Sequence, residues 1–348
     1  MCPNFSSKML ANRLQLERPG AALRCNLAML FRATGALLFL LFLVGGCSRP
    51  AATQSTRPAA RVSAGPPKVL AVYEAWFGHP RHISVGYSSH DPDVVRKQIR
   101  EAKALGISGF VVDWYGYREP FVDHSYAVLQ SIAAEENFQI AMMYDESTDE
   151  EGATDESIED FKLFRKTYLA PGAPGRQAYL TYDGRPVIFI FPKQHTDWKR
   201  VRAELNKWDK PPLLIDEYPP AAASVSAIDG YYAWVSPRAG GGDPNYWGER
   251  TLNEFYSTMQ SKYPDKIAVG GAWPGFDDSK AAWGLNRHIS SRCGKTFADT
   301  LNLWRQHSAD HSMPFLLIAT WNDYEEGTAI EKGIPGCGAD KTLPVPHL

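Results

Sequence analysis

Three absences narrow the chemistry first. The sequence has no G-x-x-x-x-G-K-[ST] phosphate loop, no H-E-x-x-H zinc helix and no G-x-S-x-G nucleophile elbow. Nucleotide hydrolysis, metallopeptidase and serine-hydrolase chemistry therefore lose their usual signatures. No G-x-G-x-x-G follows the first apolar run of the globular part, which argues against an open dinucleotide-binding sheet. Charge of one sign is missing too: a formal net charge of −2 gives no field that would draw nucleic acid or an anionic membrane surface. Cysteine is scarce, five in 348 residues, and none has metal-site spacing. No metal and no cofactor are expected.

Aromatic residues are the surplus, with ten Trp, sixteen Tyr and sixteen Phe. Singly, such residues most often fill a core. Sugars, however, present half-apolar, half-wet faces that suit flat rings with a polar handle. Placement decides between the two.

The N-terminal segment reads as a leader. Residues 35–44, GALLFLLFLV, are too short to span a bilayer comfortably and have the length of a signal-peptide h-region, with Arg24 and Arg32 before it. It ends in Val44-Gly45-Gly46-Cys47, which resembles a lipobox, so residues 1–46 are expected to be removed and Cys47 acylated. A plain signal peptide with a coincidental Cys is the alternative. Residues 47–67, Pro-, Ala-, Ser-, Thr- and Arg-rich, read as a flexible tether. These features imply an exported protein, lipid-anchored in a bacterial cell envelope. Cys293 and Cys337 remain in the globular part and can pair in one way only.

From residue 68 to 348 apolar runs alternate with amphipathic stretches. Strands are expected at 69–76, 110–115, 139–144, 187–191, 213–218, 231–235, 267–273 and 315–321. Asp91-Pro92 supplies an N-cap and first-turn proline to a helix striped by Val95, Ile99, Ala102 and Leu105, which Gly106 ends. Comparable stripes include Tyr126/Leu129/Ile132/Ala133, Trp198/Val201/Leu205 and Leu301/Trp304, whereas the PPAAASVSA connection after the fifth strand promises no helix. The rhythm predicts an α/β fold, a (β/α)8 TIM barrel in a single domain, expected as a monomer.

In such a barrel the chemistry sits at the C-terminal strand ends. Those ends carry Trp76, then Asp113-Trp114-Tyr115, Tyr144-Asp145, Tyr232, Trp273 and finally Trp321-Asn322-Asp323-Tyr324-Glu325-Glu326. Some of these carboxylates will be caps or solvated loop residues, and the acidic run at 145–160 reads chiefly as a solvated loop. Recurring aromatics and carboxylates are nonetheless what a polyol site needs: acceptors for hydroxyls, stacking faces, and two carboxyl groups for hydrolysis. His79 and His82 follow the first strand and could line the same site.

Four stretches carry a family resemblance: Ala75-Trp76-Phe77-Gly78; Tyr87-Ser88-Ser89-His90-Asp91-Pro92 with Gly109 to Gly116; the mid-barrel Gly184-Arg185-Pro186-Val187 and Asp229-Gly230-Tyr231-Tyr232; and, most specific, WNDYEEGTAIE at 321–331. Together they resemble the glycoside hydrolase family 99 and family 71 group, (β/α)8 endo-α-mannosidases and α-1,3-glucanases. The resemblance implies Glu326 as general acid, Asp323 as second catalytic carboxylate and Asp145 near a substrate-binding position. Trp76, Asp113, Trp114, Tyr115, Tyr144, Tyr232, Trp273, Trp321 and Asn322 are the further substrate contacts expected around the cleft. Glu74 departs from the Tyr of the mannosidases. The implied substrate is an α-linked polysaccharide or glycan of the α-glucan or α-mannan type, with inversion favoured by the shorter Asp and retention by analogy with the mannosidases. A non-catalytic glycan-binding lipoprotein on the same barrel is the second reading; the presence of both carboxylates argues against it.

Overall fold

The computed structural model describes residues 65–337 and 341–348. The expected leader, Cys47 and nearly all of the tether lie outside the described residues. Among the described residues no helix is long and apolar enough to cross a membrane.

Eight parallel strands close into a barrel. They are β1 (Lys68–Glu74), β2 (Gly109–Trp114), β3 (Gln139–Asp145), β4 (Arg185–Phe191), β5 (Leu213–Glu217), β6 (Gly230–Tyr232), β7 (Ile267–Ala272) and β8 (Phe315–Ile318). Each pairs with the next, and β8 returns to β1 with Lys68 opposite Phe315 and Ala71 opposite Ile318. The connections carry α1 (Pro92–Ala104), α2 (Pro120–Glu135), α3 (Ala153–Phe164), α4 (Trp198–Leu205), α5 (Glu249–Lys262) and α6 (Lys295–Asp310). Between β5 and β6 the chain makes turns and no α-helix, as its Pro- and Ala-rich sequence predicts.

Local sequence explains the elements. Asp91 caps α1 by accepting from the Asp93 and Val94 amides, Pro92 opens its first turn, and Val95, Ile99 and Ala102 are buried at helical spacing. Val95 and Ile99 each contribute roughly 1.5–3 kcal/mol when taken from water, and the methyl of Ala102 less. The acidic run at 145–160 divides differently from the expectation. Residues 148–151 are exposed, but Asp145, Glu146 and Asp160 are buried, because α3 begins at Ala153 and packs back on the barrel. Cys293 and Cys337 form a disulfide joining the segment before α6 to the segment after β8.

Alternation along the strands sorts the core into two layers. Leu70, Val72, Val111, Ala141, Met143, Val187, Phe189, Leu213, Ile215, Val269 and Leu317 fill the barrel. Ala71, Tyr73, Phe110, Val112, Trp114, Ile140, Met142, Tyr144, Ile188 and Ile190 face the helices. Following the inward set one step further up each strand leads to Glu74, Asp113 and Asp145. The same two-residue period that packs the barrel thus aims three carboxylates at its C-terminal mouth.

Candidate active site

The mouth holds a cleft of about 610 Å³. Glu74 and Trp76 come from the end of β1, Asp113 and Tyr115 from β2, Asp145 from β3, and Phe191 and Lys193 from β4. Asp323 and Glu326 enter from the loop after β8, and Trp283 from the connection between β7 and α6.

Asp323 is buried, and a tight turn places it. Its amide donates to Thr320 Oγ1 at 3.0 Å, while its Oδ1 accepts the Glu325 and Glu326 amides, each at 2.9 Å. That turn brings Glu326, three residues on, to the same cleft. Burial, then the Glu326 charge, pushes the Asp323 carboxyl up to about 8, against the pull of the two amides. Glu326 is raised as well, mainly by burial; Trp283 Nε1, donating to its Oε1 at 2.9 Å, and Arg287, 4.0 Å away, favour its charged form. The Asp277 amide donates to the Glu326 carbonyl at 2.8 Å. It thereby ties Glu326 to a small hairpin, Phe276–Asp277 against His288–Ile289. Buried Asp278 secures that hairpin by accepting from the Leu285 and Arg287 amides and from Arg287 Nε.

Beside this pair, Glu74 and Asp113 are register partners on β1 and β2. Burial raises Glu74 well above the usual carboxylate range, with the charges of Asp113, Asp323, Glu326 and Asp145 adding to it. Asp113 is pushed up to about 7 by burial and by Asp145. Asp145 reaches about 6, burial outweighing Lys193, whose Nζ lies 3.2 Å from Asp145 Oδ2. The mouth is thus a low-dielectric space holding more acid groups than it can ionise together.

Aromatic rings form the wall. Trp76 stacks on His82, centroids 4.5 Å apart and planes 4° apart, and meets Trp283 edge-on at 5.8 Å. His82 Nδ1 is held 2.8 Å from Glu325 Oε2, and the Ile83 amide donates to Glu325 Oε1. Glu325 therefore faces the loop after β1 and does not line the cleft.

The structure brings Trp76, Asp113, Tyr115, Asp145, Asp323 and Glu326 together as expected. Six expected contacts lie elsewhere. Trp114 follows inward-facing Asp113 and so points out, against Tyr117 and Phe164, donating from Nε1 to Asp123 Oδ1 at 3.2 Å. Tyr144, between inward Met143 and Asp145, likewise points out and donates to Asp160 Oδ2 at 3.0 Å. Trp273 donates to the Trp247 carbonyl at 3.0 Å and covers Gly248, where a Cβ would lie 2.3 Å from its ring and φ is +105°. Trp273 therefore shapes the entry to α5. Trp321 is fully buried in the layer between strands and helices. Tyr232 does face the barrel interior but is packed below the cleft, its hydroxyl donating to the Ile190 carbonyl at 2.9 Å.

Asn322 is a structural clamp. Its Oδ1 accepts the Glu74 amide at 2.8 Å and its Nδ2 donates to the Glu74 carbonyl at 3.0 Å. Since β8 ends at Ile318, this side chain supplies the rung that the strand no longer offers to β1. Conversely, the sequence reading missed Lys193, which follows β4 through Pro192 and so obeys the strand-end rule. It also missed Trp283, which stands ten residues past Trp273 in a long loop and has no local signal. Among the described residues no group of three or more His, Cys, Asp or Glu is placed to hold a metal ion.

Comparison with known proteins agrees with this architecture. The sequence profile described as Glycosyl hydrolase family 71 matches residues 81–332. A mouse (Mus musculus) protein described as glycoprotein endo-alpha-1,2-mannosidase-like is 23% identical over 269 residues, covering 72% of this chain; the chain spans only 57% of that relative's length. The GH99 endo-alpha-mannosidase structure from Bacteroides thetaiotaomicron superposes with a TM-score of 0.60 at 18% identity, over 80% of this chain and 92% of the other. A second structure of that bacterial enzyme, in complex with bis-tris-propane, gives 0.61 at 20% identity, with the same coverage. At these identities the structural likeness bears on the fold, which is the same closed barrel.

Proposed function

The chain belongs to glycosyl hydrolase family 71, and from that premise we propose that it cleaves internal bonds of an α-linked polysaccharide or glycan, using Asp323 and Glu326. The observation carrying the proposal is that these two residues, alone among the acids after β8, share one aromatic-walled cleft and each hold their protons above the ordinary carboxylate range. A carboxylic acid that stays protonated near neutrality can give its proton to a glycosidic oxygen, while its partner acts on water or on the sugar. Glu326 is assigned the acid role and Asp323 the base role. Burial raises both carboxyls, so the assignment requires the proton to rest on Glu326 once a substrate is bound. The names of the mouse and bacterial relatives favour an endo-acting enzyme on α-mannoside chains.

The test is reducing-end release from α-mannans and α-glucans by the wild type, Glu326→Gln and Asp323→Asn. Glu326→Gln should lose about 10²–10⁴-fold on polysaccharide and far less on an aryl glycoside whose leaving group needs no proton. Asp323→Asn should lose activity on both. If Asp323→Asn is the variant rescued by the good leaving group, the two roles are exchanged; a wild type that binds glycans and never cuts them would sink the hydrolase reading. We further propose that the protein is exported and held by acylated Cys47. The mass of the mature N-terminal peptide tests this, since an unmodified Cys47 would remove the anchor.

A further inference from the structure

The acid groups of the cleft are unevenly partnered. Asp145 has Lys193 at 3.2 Å and Glu326 has Arg287 at 4.0 Å, whereas Glu74, Asp113 and Asp323 take part in no ion pair among the described residues. Asp323 still receives two backbone amides. Glu74 and Asp113 differ: they bond to each other and Asp113 also takes the Tyr115 hydroxyl, yet both are more than nine-tenths buried, both line the cleft, and Glu74 Oε2 and Asp113 Oδ1 each still lack a hydrogen-bond partner. Two orphaned oxygens at the ends of neighbouring strands, with the cleft's Lys193 paired to Asp145, form a site that still lacks donors and a cation of its own.

We propose that Glu74 and Asp113 form a subsite for a cation, the free ammonium of an amino sugar, and that the α-linked chain bound here carries unacetylated amines. The inference rests on the glycosidase reading above and specifies its substrate class.

The chemistry separates the candidates. A hydroxyl offers one donor and no charge, so it can satisfy one of the two oxygens and cannot take over the role of the Glu74 proton. An N-acetyl group also offers a single donor and would press a methyl against carboxylates. An ammonium offers three donors and the missing charge, and it makes charge-assisted bonds roughly twice as strong as neutral ones. Trp76 and Tyr115, with ring centroids 6.2 Å apart, line the same part of the cleft and give the cation ring faces as well. Burial and the surrounding charges hold Glu74 protonated in the empty site. That proton keeps the pair from repelling itself until a ligand replaces it.

The experiment uses the full-length Glu326→Gln protein, so that ligands are not consumed, with isothermal titration calorimetry. The probes are α-linked oligosaccharides of glucosamine, galactosamine and mannosamine, each as the free amine, the N-acetylated form and the neutral parent sugar. The best free-amine ligand should bind about tenfold or more tightly than its N-acetylated and neutral counterparts. Adding Glu74→Gln and Asp113→Asn, which keep shape and remove charge, should abolish that preference, and a preference that persists in the doubly substituted protein overturns the subsite. Equal or tighter binding of the neutral or N-acetylated series overturns the ammonium subsite and leaves the hydrolase reading standing. Failure of every probe to bind, together with no cleavage of any α-mannan or α-glucan, overturns both. The ligand series alone decides the question if the doubly substituted protein does not fold.

Discussion

Asp323→Asn should make the domain more stable, and only at neutral to alkaline pH. In the folded protein burial and Glu326 push the Asp323 carboxyl up to about 8, while in an unfolded chain it titrates near the ordinary value of about 3.9. A folded value above the unfolded one means that folding disfavours the charged form. Below about pH 4 both states are protonated and the residue costs nothing. The cost grows as pH rises from about 4 and is complete above about 8. Each tenfold displacement of an ionisation equilibrium is worth about 1.4 kcal/mol. Because Glu326 shares the repulsion, we assign about 2 kcal/mol to Asp323 itself. Asparagine keeps an Oδ1 that accepts the Glu325 and Glu326 amides, so the turn survives while the charge is lost. At about 2–4 °C per kcal/mol for a domain of this class, Asp323→Asn should raise Tm by roughly 4 °C or more at pH 8 and change it little at pH 4.5. Calorimetry or urea unfolding at the two pH values measures this. An equal gain at both, or a loss at pH 8, would show that the barrel mouth is not held together against its own charge.

Two further substitutions test the placement of individual side chains. Trp283 is 44% exposed and donates to Glu326. Trp283→Phe, which keeps a ring and removes the N–H, should raise the Glu326 pKa and move the alkaline limb of the kcat/KM profile to higher pH; an unmoved limb would mean that this contact does not tune Glu326. Asn322→Ala leaves the buried Glu74 amide and carbonyl without their partners, at about 1–3 kcal/mol each. It should therefore cost about 2–4 kcal/mol in chemical denaturation, and undiminished stability with a raised KM would return Asn322 to the role of a substrate contact.

The barrel was legible because its signals are local. Continuous apolar runs mark strands buried on both faces, and caps such as Asp91-Pro92 mark where helices start. What the runs cannot reveal is which residues of a buried strand face in and which face out, since both faces are apolar. Trp114 and Tyr144 look as suitable for a sugar as Trp76, yet one position along a strand decides between the cleft and the helix layer. The acids were the better guide. Asp113 and Asp145, adjacent to those rings in sequence, point into the cleft because the outward layer is closed by large hydrophobic side chains.

Longer-range geometry explains the remaining gaps. Asn322 stands beside Asp323 in the most family-like stretch of the sequence, and adjacency made it a candidate for substrate. Its real work follows from where β8 stops: strand pairing ends at Ile318, Trp321 still donates its amide to the Val72 carbonyl at 2.6 Å, and Asn322 completes the next rung at Glu74. That rung fixes the backbone of Glu74 beside the turn that fixes Asp323, so the two carboxyls are set by one continuation of the barrel seam. Trp283 is the opposite case, a cleft-lining side chain with no signal near it. Its position depends on Asp278 gathering the hairpin tip and on Asp277 bonding to the Glu326 carbonyl, the second of these joining residues more than forty apart in sequence. Glu326 and the ring that bonds to it are therefore carried on one hairpin-to-loop junction. Motion of that hairpin would change the position of Trp283 and the ionisation of Glu326 together.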